Sequence, residues 1–348
     1  MKRLLFIITT ILFVNCNDQS TAENPNIEIY DESVLSIIDL SSEIEILADS
    51  ISLPEGPVWD ESSNSLLFVD IINNKVHKWN ENDGVSDFIF PSGNTGYAPN
   101  VDLGLLGANG LAINKDGNII LCQHGDRRLA IAKNTATNDP SFITLIDNFE
   151  GKKFNSPNDL TISSDGSIYF TDPAFGFFDL QSASFVDSEF RKLDFFGIYK
   201  YDVKNDSISL INKDYLPNGI ALSNDEKLLY FNKMGVLDED PKILKIDLNS
   251  LKTEVVFEGK KLSEKWGNLY DITSEKNTGN FDGMKVHSSG NIFTSGPGGI
   301  LVISPEGNLL SRIKFGHTTN CAFDTNENYL YVTGFADNPK VYRIKLKS

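Results

Sequence analysis

A single all-β six-bladed β-propeller is the fold this 348-residue sequence predicts, on three observations. First, one unit recurs six times: a polar residue, a small residue, an alternating strand, a turn and a second alternating strand. It reads "PEGPVWDESSNSLLFVD" from Pro54, "ANGLAINKDGNIILCQHG" from Ala108, "NSPNDLTISSDGSIYFTDP" from Asn155, "PNGIALSNDEKLLYFNK" from Pro217, "FDGMKVHSSGNIFTSG" from Phe281 and "TNCAFDTNENYLYVTG" from Thr319. Second, the polar position stays in register as Glu55, Asn109, Asn158, Asn218, Asp282 and Asn320, at intervals of 54, 49, 60, 64 and 38 residues. That period suits four-stranded blades of about 40 to 50 residues. Third, 40% apolar residues with 23 Phe and 11 Tyr are enough for one large core, and propellers of this length are commonly single units.

Taken in chain order, "MKRLLFIITTILFVNC" has a basic start at Lys2 and Arg3 and an apolar run from Leu4 to Val14 that is too short for a mature membrane span. Residues 1–16 therefore read as a signal peptide, residues 17–26 as a flexible linker and residues 27–348 as the propeller. The end of the run at Cys16 resembles a bacterial lipoprotein signal, in which the Cys is lipidated. A plain secretory signal is the alternative, because Asn15 stands where a small residue usually precedes that Cys. Export to the periplasm or cell surface is expected on either reading, with membrane contact only through a lipid on Cys16.

Within each unit the strands follow from alternation. In the third, Leu160 and Ile162, then Ile168 and Phe170, flank a Ser164-Asp165-Gly166 turn. "KVHKW" (75–79), "GIYKYDV" (197–203) and "KILKIDL" (242–248) are expected as outer strands of their blades. The short last interval and the tail "KVYRIKLKS" predict that residues around Ile27 to Ile46 help close the ring. Cys122 and Cys321 lie in apolar strands without CxxC or Cys/His spacing and are expected as buried free thiols.

A net charge of -17 argues against a nucleic-acid partner, which requires clustered Lys and Arg, and favours cations. In a propeller, residues at one repeat position ring the central channel. Here that ring would be carboxylate and amide oxygens without sulfur or imidazole, which is what a hard cation such as Ca²⁺ requires. Any one Asn or Asp before a strand commonly forms only an Asx-turn; it is the six in register that point to a site. Glu55, Asn158, Asn218 and Asp282 are the most tightly matched.

"EGPVW", "NSPNDLTISSDGSIYFTDP", "LPNGIALS", "FDGM" and "TNCAF" with "LYVTG" resemble, in order and over nearly the whole mature chain, the gluconolactonase family that includes senescence marker protein and luciferin-regenerating enzyme. The resemblance implies one catalytic divalent cation, usually calcium, and hydrolysis of sugar lactones or related small-molecule esters. Mg²⁺, Mn²⁺ and Zn²⁺ are alternatives. It places the metal ligands on Glu55, Asn158, Asn218 and Asp282 and the proposed general base on Asp282. Asn109 and Asn158, as members of the polar column, are candidate substrate-binding residues.

In "CQHGDRRL" (122–129), His124 could act as an acid or oxyanion donor, and Arg127 or Arg128 could bind a carboxylate of a sugar acid, unless Gly125-Asp126 is merely a hairpin turn. Long segments at 91–104 and 174–197, the latter with seven Phe, could form the substrate pocket, although the Phe could equally pack a hairpin onto its blade. No GxSxG, HExxH, P-loop or strand-borne GxGxxG is present. A non-enzymatic propeller with a structural cation, and a phosphotriesterase-type hydrolase, stand as alternatives to the lactonase.

Overall fold

The computed structural model of the chain describes residues 24–135, 139–182, 184–235, 240–266, 279–335 and 338–347. The expected signal peptide, residues 1–16, and residues 17–23 of the expected linker lie outside the described residues. Residues 24–26 belong to the domain instead: Asn24 Nδ2 donates to Leu40 O (3.2 Å) and Ser42 O (2.8 Å), and Lys314 N donates to Asn26 O (2.8 Å). The folded unit therefore starts a few residues earlier than 27.

Six antiparallel sheets form the ring. Blade one runs from Pro54–Asp60 through Ser65–Asp70 and Lys75–Asn80 to Gly84–Ile89, and the other blades repeat this meander. The segments expected as outer strands are third strands, Lys75–Asn80, Gly197–Asp202 and Lys242–Asp247. The outermost strands are Gly84–Ile89, Ser207–Asn212 and Thr253–Glu258. Facing solvent, these mix charged and apolar residues and escape a search for clean alternation.

The last blade has only three strands from the C-terminal part of the chain, Thr318–Phe323, Tyr329–Gly334 and Lys340–Lys345. Ile44–Ala48 supplies the fourth by pairing with Lys340–Lys345, so the N-terminal segment closes the ring as expected. The strand Ile27–Ile29 does something further, adding a fifth strand to blade five against Leu309–Lys314. The Arg312 guanidinium grips Glu28 there at 2.9 and 3.0 Å.

The second strand of each blade is buried on both faces, which is why it reads as a continuous apolar run. In blade one, Leu67 and Val69 join the cluster shared with blade two, whereas Leu66 and Phe68 join the cluster shared with blade six, where Trp59 stacks on Tyr331 at 5.3 Å. Six apolar clusters result, one between each pair of consecutive blades. Cys122 and Cys321 are fully buried free thiols in two of them, and burial pushes both thiols up, to about 12 for Cys321.

Two long excursions rise from the ring. Asp126 holds the first, accepting from Thr95 N (2.9 Å), Tyr97 N (3.2 Å) and Thr95 Oγ1. The second, between the second and third strands of blade three, carries a 3-10 turn at Phe175–Phe177 and a short hairpin pairing Phe178–Asp179 with Ser184–Phe185. Among the described residues, no helix is long and apolar enough to cross a membrane.

Candidate metal and substrate site

The repeated polar-small dipeptide has a mechanical explanation. Four inner strands bulge at this point, with register shifts between Glu55 and Val58, Ala108 and Leu111, Pro217 and Ile220, and Thr318 and Asn320. A bulge lets the chain re-aim a side chain, here the polar one. The small residue that follows meets the neighbouring blade: Gly110 N donates to Asn158 O (2.6 Å), Gly219 N to Asp282 O (2.9 Å) and Gly283 N to Thr319 O (2.7 Å). A Cβ on Gly56 would lie 2.0 Å from Asn109 O, and one on Gly219 2.3 Å from Asp282 O. Glycine is needed because the next blade's backbone passes there.

Five of the six in-register residues, Glu55, Asn109, Asn158, Asn218 and Asp282, line one cavity of about 210 Å³ at the end of the channel, together with His124. The sixth, Asn320, does not reach it. Its Nδ2 donates to Glu55 Oε2 (3.0 Å) and its Oδ1 accepts from Cys321 N (2.8 Å), so it orients the glutamate. Gly56 N adds a second donor to the same Glu55 oxygen at 2.7 Å. Asn218 Nδ2 donates to Met234 Sδ (3.0 Å), which leaves its Oδ1 for a ligand. Asp282 is set from behind, its N–H donating to Ser295 Oγ (2.8 Å) and its carbonyl accepting from Asn232 Nδ2 (2.7 Å).

Burial pushes the Glu55 carboxyl up to about 7 against the two donors to it, and the nearby Asp159 charge adds to the rise. Asp282 is also raised well above the carboxylate range, first by burial and then by the charges of Glu55 and Asp159. Two enclosed carboxylates, of which Glu55 raises Asp282, stand among amides, and none of the described residues lining the cavity is Lys or Arg. A hard divalent cation fits this donor set in charge and in ligand type. Among the described residues no three His, Cys, Asp or Glu side chains gather into one group, so any ion here would rest on two carboxylates completed by amide oxygens.

Asp159, next to Asn158, takes the position glycine holds in four other blades. Its Oδ1 accepts from Leu160 N (2.8 Å), while Lys285 Nζ stands 3.9 Å from the buried Oδ2. Asp172 proves to be a buried clip: its carboxylate accepts from Asn155 N (2.9 Å) and Ser156 N (2.8 Å) and fixes the loop that leads into Asn158.

His124 lines the cavity in a different role from the one expected. Its Nδ1 faces Leu105 O at 3.2 Å, and a carbonyl only accepts, so Nδ1 carries the proton. Nε2 is then an acceptor, buried and without a protein partner. Burial lowers the ring's pKa to about 4, so near neutral pH it is neither an acid nor an oxyanion donor. Arg127 does not line the cavity. Its guanidinium donates to Phe190 O and lies 5.7 Å from the Phe177 ring, propping the blade-three excursion. Arg128 is likewise consumed, by Gln123 Oε1 (2.6 Å), Thr144 Oγ1 (2.7 Å) and Asp126 Oδ2 (3.2 Å).

Several lining residues are absent from the sequence expectations, among them His317, Met234 and Phe335. The signal was present in the repeat. The position just after the second strand holds Ile71, His124, Met234 and Phe335 in blades one, two, four and six, and all four line the cavity. A second ring thus stands above the first.

Against known proteins, residues 53–336 match the SMP-30/Gluconolactonase/LRE-like region. The chain belongs to that family. A gluconolactonase from Zymomonas mobilis is 33% identical over 318 residues, which cover 90% of this chain and 84% of that protein. The structure of XC5397 from Xanthomonas campestris, described as a gluconolactonase, superposes with a TM-score of 0.74 at 23% identity, covering 92% of this chain and 95% of that one. The calcium-binding protein regucalcin from Agrobacterium tumefaciens gives 0.62 at 17% identity, covering 88% and 95%. At those identities the two structures establish the shared six-bladed fold of this gluconolactonase-family chain, while the sequence relative ties it to the family's hydrolases.

Proposed function

We propose that the chain is a divalent-cation-dependent lactone hydrolase. The observation that carries this reading is the arrival of Glu55, Asn109, Asn158, Asn218 and Asp282, from five different blades, in one cavity beside the unpartnered Nε2 of His124. Glu55, Asn158, Asn218 and Asp282 would hold the ion, for which calcium suits the all-oxygen set best. When bound, such a cation supplies Lewis-acid polarisation of a lactone carbonyl.

The chain's own groups supply the rest. Asp282, whose carboxyl lines the cavity and whose backbone is fixed by Ser295 and Asn232, is the base that takes a proton from the attacking water. As the ring C–O bond breaks, that proton passes to the leaving alkoxide and the open hydroxy acid is released. Asn109 has no function in orienting the other donors and is free to bind substrate oxygen. His124 Nε2 accepts from a substrate hydroxyl or from water, its tautomer held by Leu105 O. Glu55, doubly hydrogen-bonded, would be held as a fixed anion once the ion is bound.

The test is hydrolysis, followed by pH drop, of a lactone panel on protein stripped with chelator and resupplied with Ca²⁺, Mg²⁺, Mn²⁺ or Zn²⁺. Activity that disappears on stripping and returns with one ion supports the reading; activity unaffected by stripping refutes the cation. Asp282→Asn that still binds the ion and turns over at the wild-type rate would remove Asp282 from the role of base.

A further inference from the structure

The lactonase reading leaves the substrate class open, and the walls of the cavity bear on it. The ring above the oxygen donors is apolar except at His124: Ile71, Met234 and Phe335 complete it. The blade-three excursion adds Phe175, Phe178 and Leu180 at the mouth. Leu180 and Phe335 remain 47% and 39% exposed, although both are large apolar side chains. Exposed apolar groups gathered at the mouth of a polar-floored cavity mark a surface that a ligand covers.

The polar inventory points the same way. Thr319 Oγ1 is already engaged with Pro54 O (2.7 Å) and Thr333 Oγ1 (2.8 Å). Once the four expected ion ligands are set aside, only Asn109, His124 and His317 remain among the described lining residues to meet substrate oxygens, and none of those described residues is Lys or Arg. A bare sugar lactone carries hydroxyls around its whole ring, and each one enclosed without a partner costs roughly tenfold or more in binding. A two-sided molecule avoids that loss.

We propose that the substrate is a lactone bearing an apolar alkyl or aryl substituent. Its ring ester lies on the floor among Glu55, Asn158, Asn218 and Asp282, and its substituent lies against Phe178, Leu180 and Phe335. This rests on the lactonase reading above, and the test separates the two.

The test compares kcat/KM of the ion-replete full chain on γ-butyrolactone, γ-caprolactone, γ-nonanolactone, dihydrocoumarin and D-glucono-δ-lactone. Each methylene moved from water onto an apolar wall is worth about fourfold at best. We therefore expect kcat/KM to rise two- to fourfold per added methylene along the γ-lactones, and to be at least tenfold higher for γ-nonanolactone than for the glucono-lactone. Leu180→Ser, at an exposed position whose change does not threaten folding, should reduce the γ-nonanolactone to γ-butyrolactone ratio at least fivefold, through KM. Glucono-lactone as the best substrate, a flat chain-length series or an unchanged ratio in Leu180→Ser overturns the proposal and leaves the lactonase intact. Failure to open any of the five lactones overturns the lactonase and this proposal together.

Discussion

Replacing Asn320 with alanine tests whether the ring is a metal site or only a polar plug. Asn320 makes two contacts that pull in different directions experimentally. Its Nδ2 reaches the Glu55 carboxylate at 3.0 Å, and its Oδ1 satisfies the buried N–H of Cys321 at 2.8 Å. A hydrogen bond to a charged group contributes about 1.5 to 3 kcal/mol, and stranding a buried N–H costs about 1 to 3 kcal/mol. The first loss frees Glu55 to turn away from its ligating pose, so cation affinity should fall roughly 10- to 100-fold, the usual effect of removing a residue that orients a ligand. The second loss should lower the melting temperature of the chelator-stripped protein as well as the loaded one. Calorimetric titration of Ca²⁺ into stripped protein measures the first, and thermal unfolding with chelator measures the second. An affinity within twofold of wild type, accompanied by a lower melting temperature, would refute the reasoning: Glu55 would then not be a ligand that Asn320 positions.

Other outcomes follow from the same geometry. Glu55 has a folded-state pKa of about 7 against an ordinary 4.5, so the folded cation-free chain binds more protons than the unfolded one between those values. Its stability should be highest below pH 4.5 and fall as pH rises through 7, by roughly 3 kcal/mol for this group; thermal unfolding in chelator from pH 5 to 8 should show the decline, and saturating Ca²⁺ should remove it. Gly219→Ala places a Cβ 2.3 Å from Asp282 O, so stability should drop by about 1 to 3 kcal/mol and cation affinity with it; wild-type values for both would show that the two blades can separate there at no cost. If residues 1–16 are a lipoprotein-type signal, Cys16→Ser should move the protein from the membrane fraction to the soluble fraction, and a soluble wild type would favour the plain secretory signal.

The fold was legible because a repeated unit leaves a trace at every copy. Six in-register polar residues and their following small residues marked where each blade begins, and alternation on either side of a turn, as around Ser164-Asp165-Gly166, marked its first two strands. Outer strands such as Thr253–Glu258 left no such trace, since only one side of them is packed. In the site, the oxygen donors were visible because they share a repeat position. Arg127 misled because charge in a turn says nothing about direction, and here the side chain props the Phe-rich excursion. The role of His124 depended on Leu105 O, a backbone atom supplied by a loop whose path no local pattern announces. Phe335 and Met234 lay in a second column that becomes apparent only once the first has been recognised as a ring.

On the proposed cation site, the glycine bridges between neighbouring blades would make a bound ion a measure of the whole circumference. Between Asn212, which ends blade three, and Pro217, which starts blade four, the chain could be cut into two fragments. One would carry Glu55, Asn109 and Asn158, the other Asn218 and Asp282, with a single ring carboxylate in each. Neither half can present more than a fragment of a coordination shell, so tight ion binding becomes an all-or-none signal that the two halves have met. If the proposed site holds a divalent cation, a split version of this chain would report reassembly through binding of that ion.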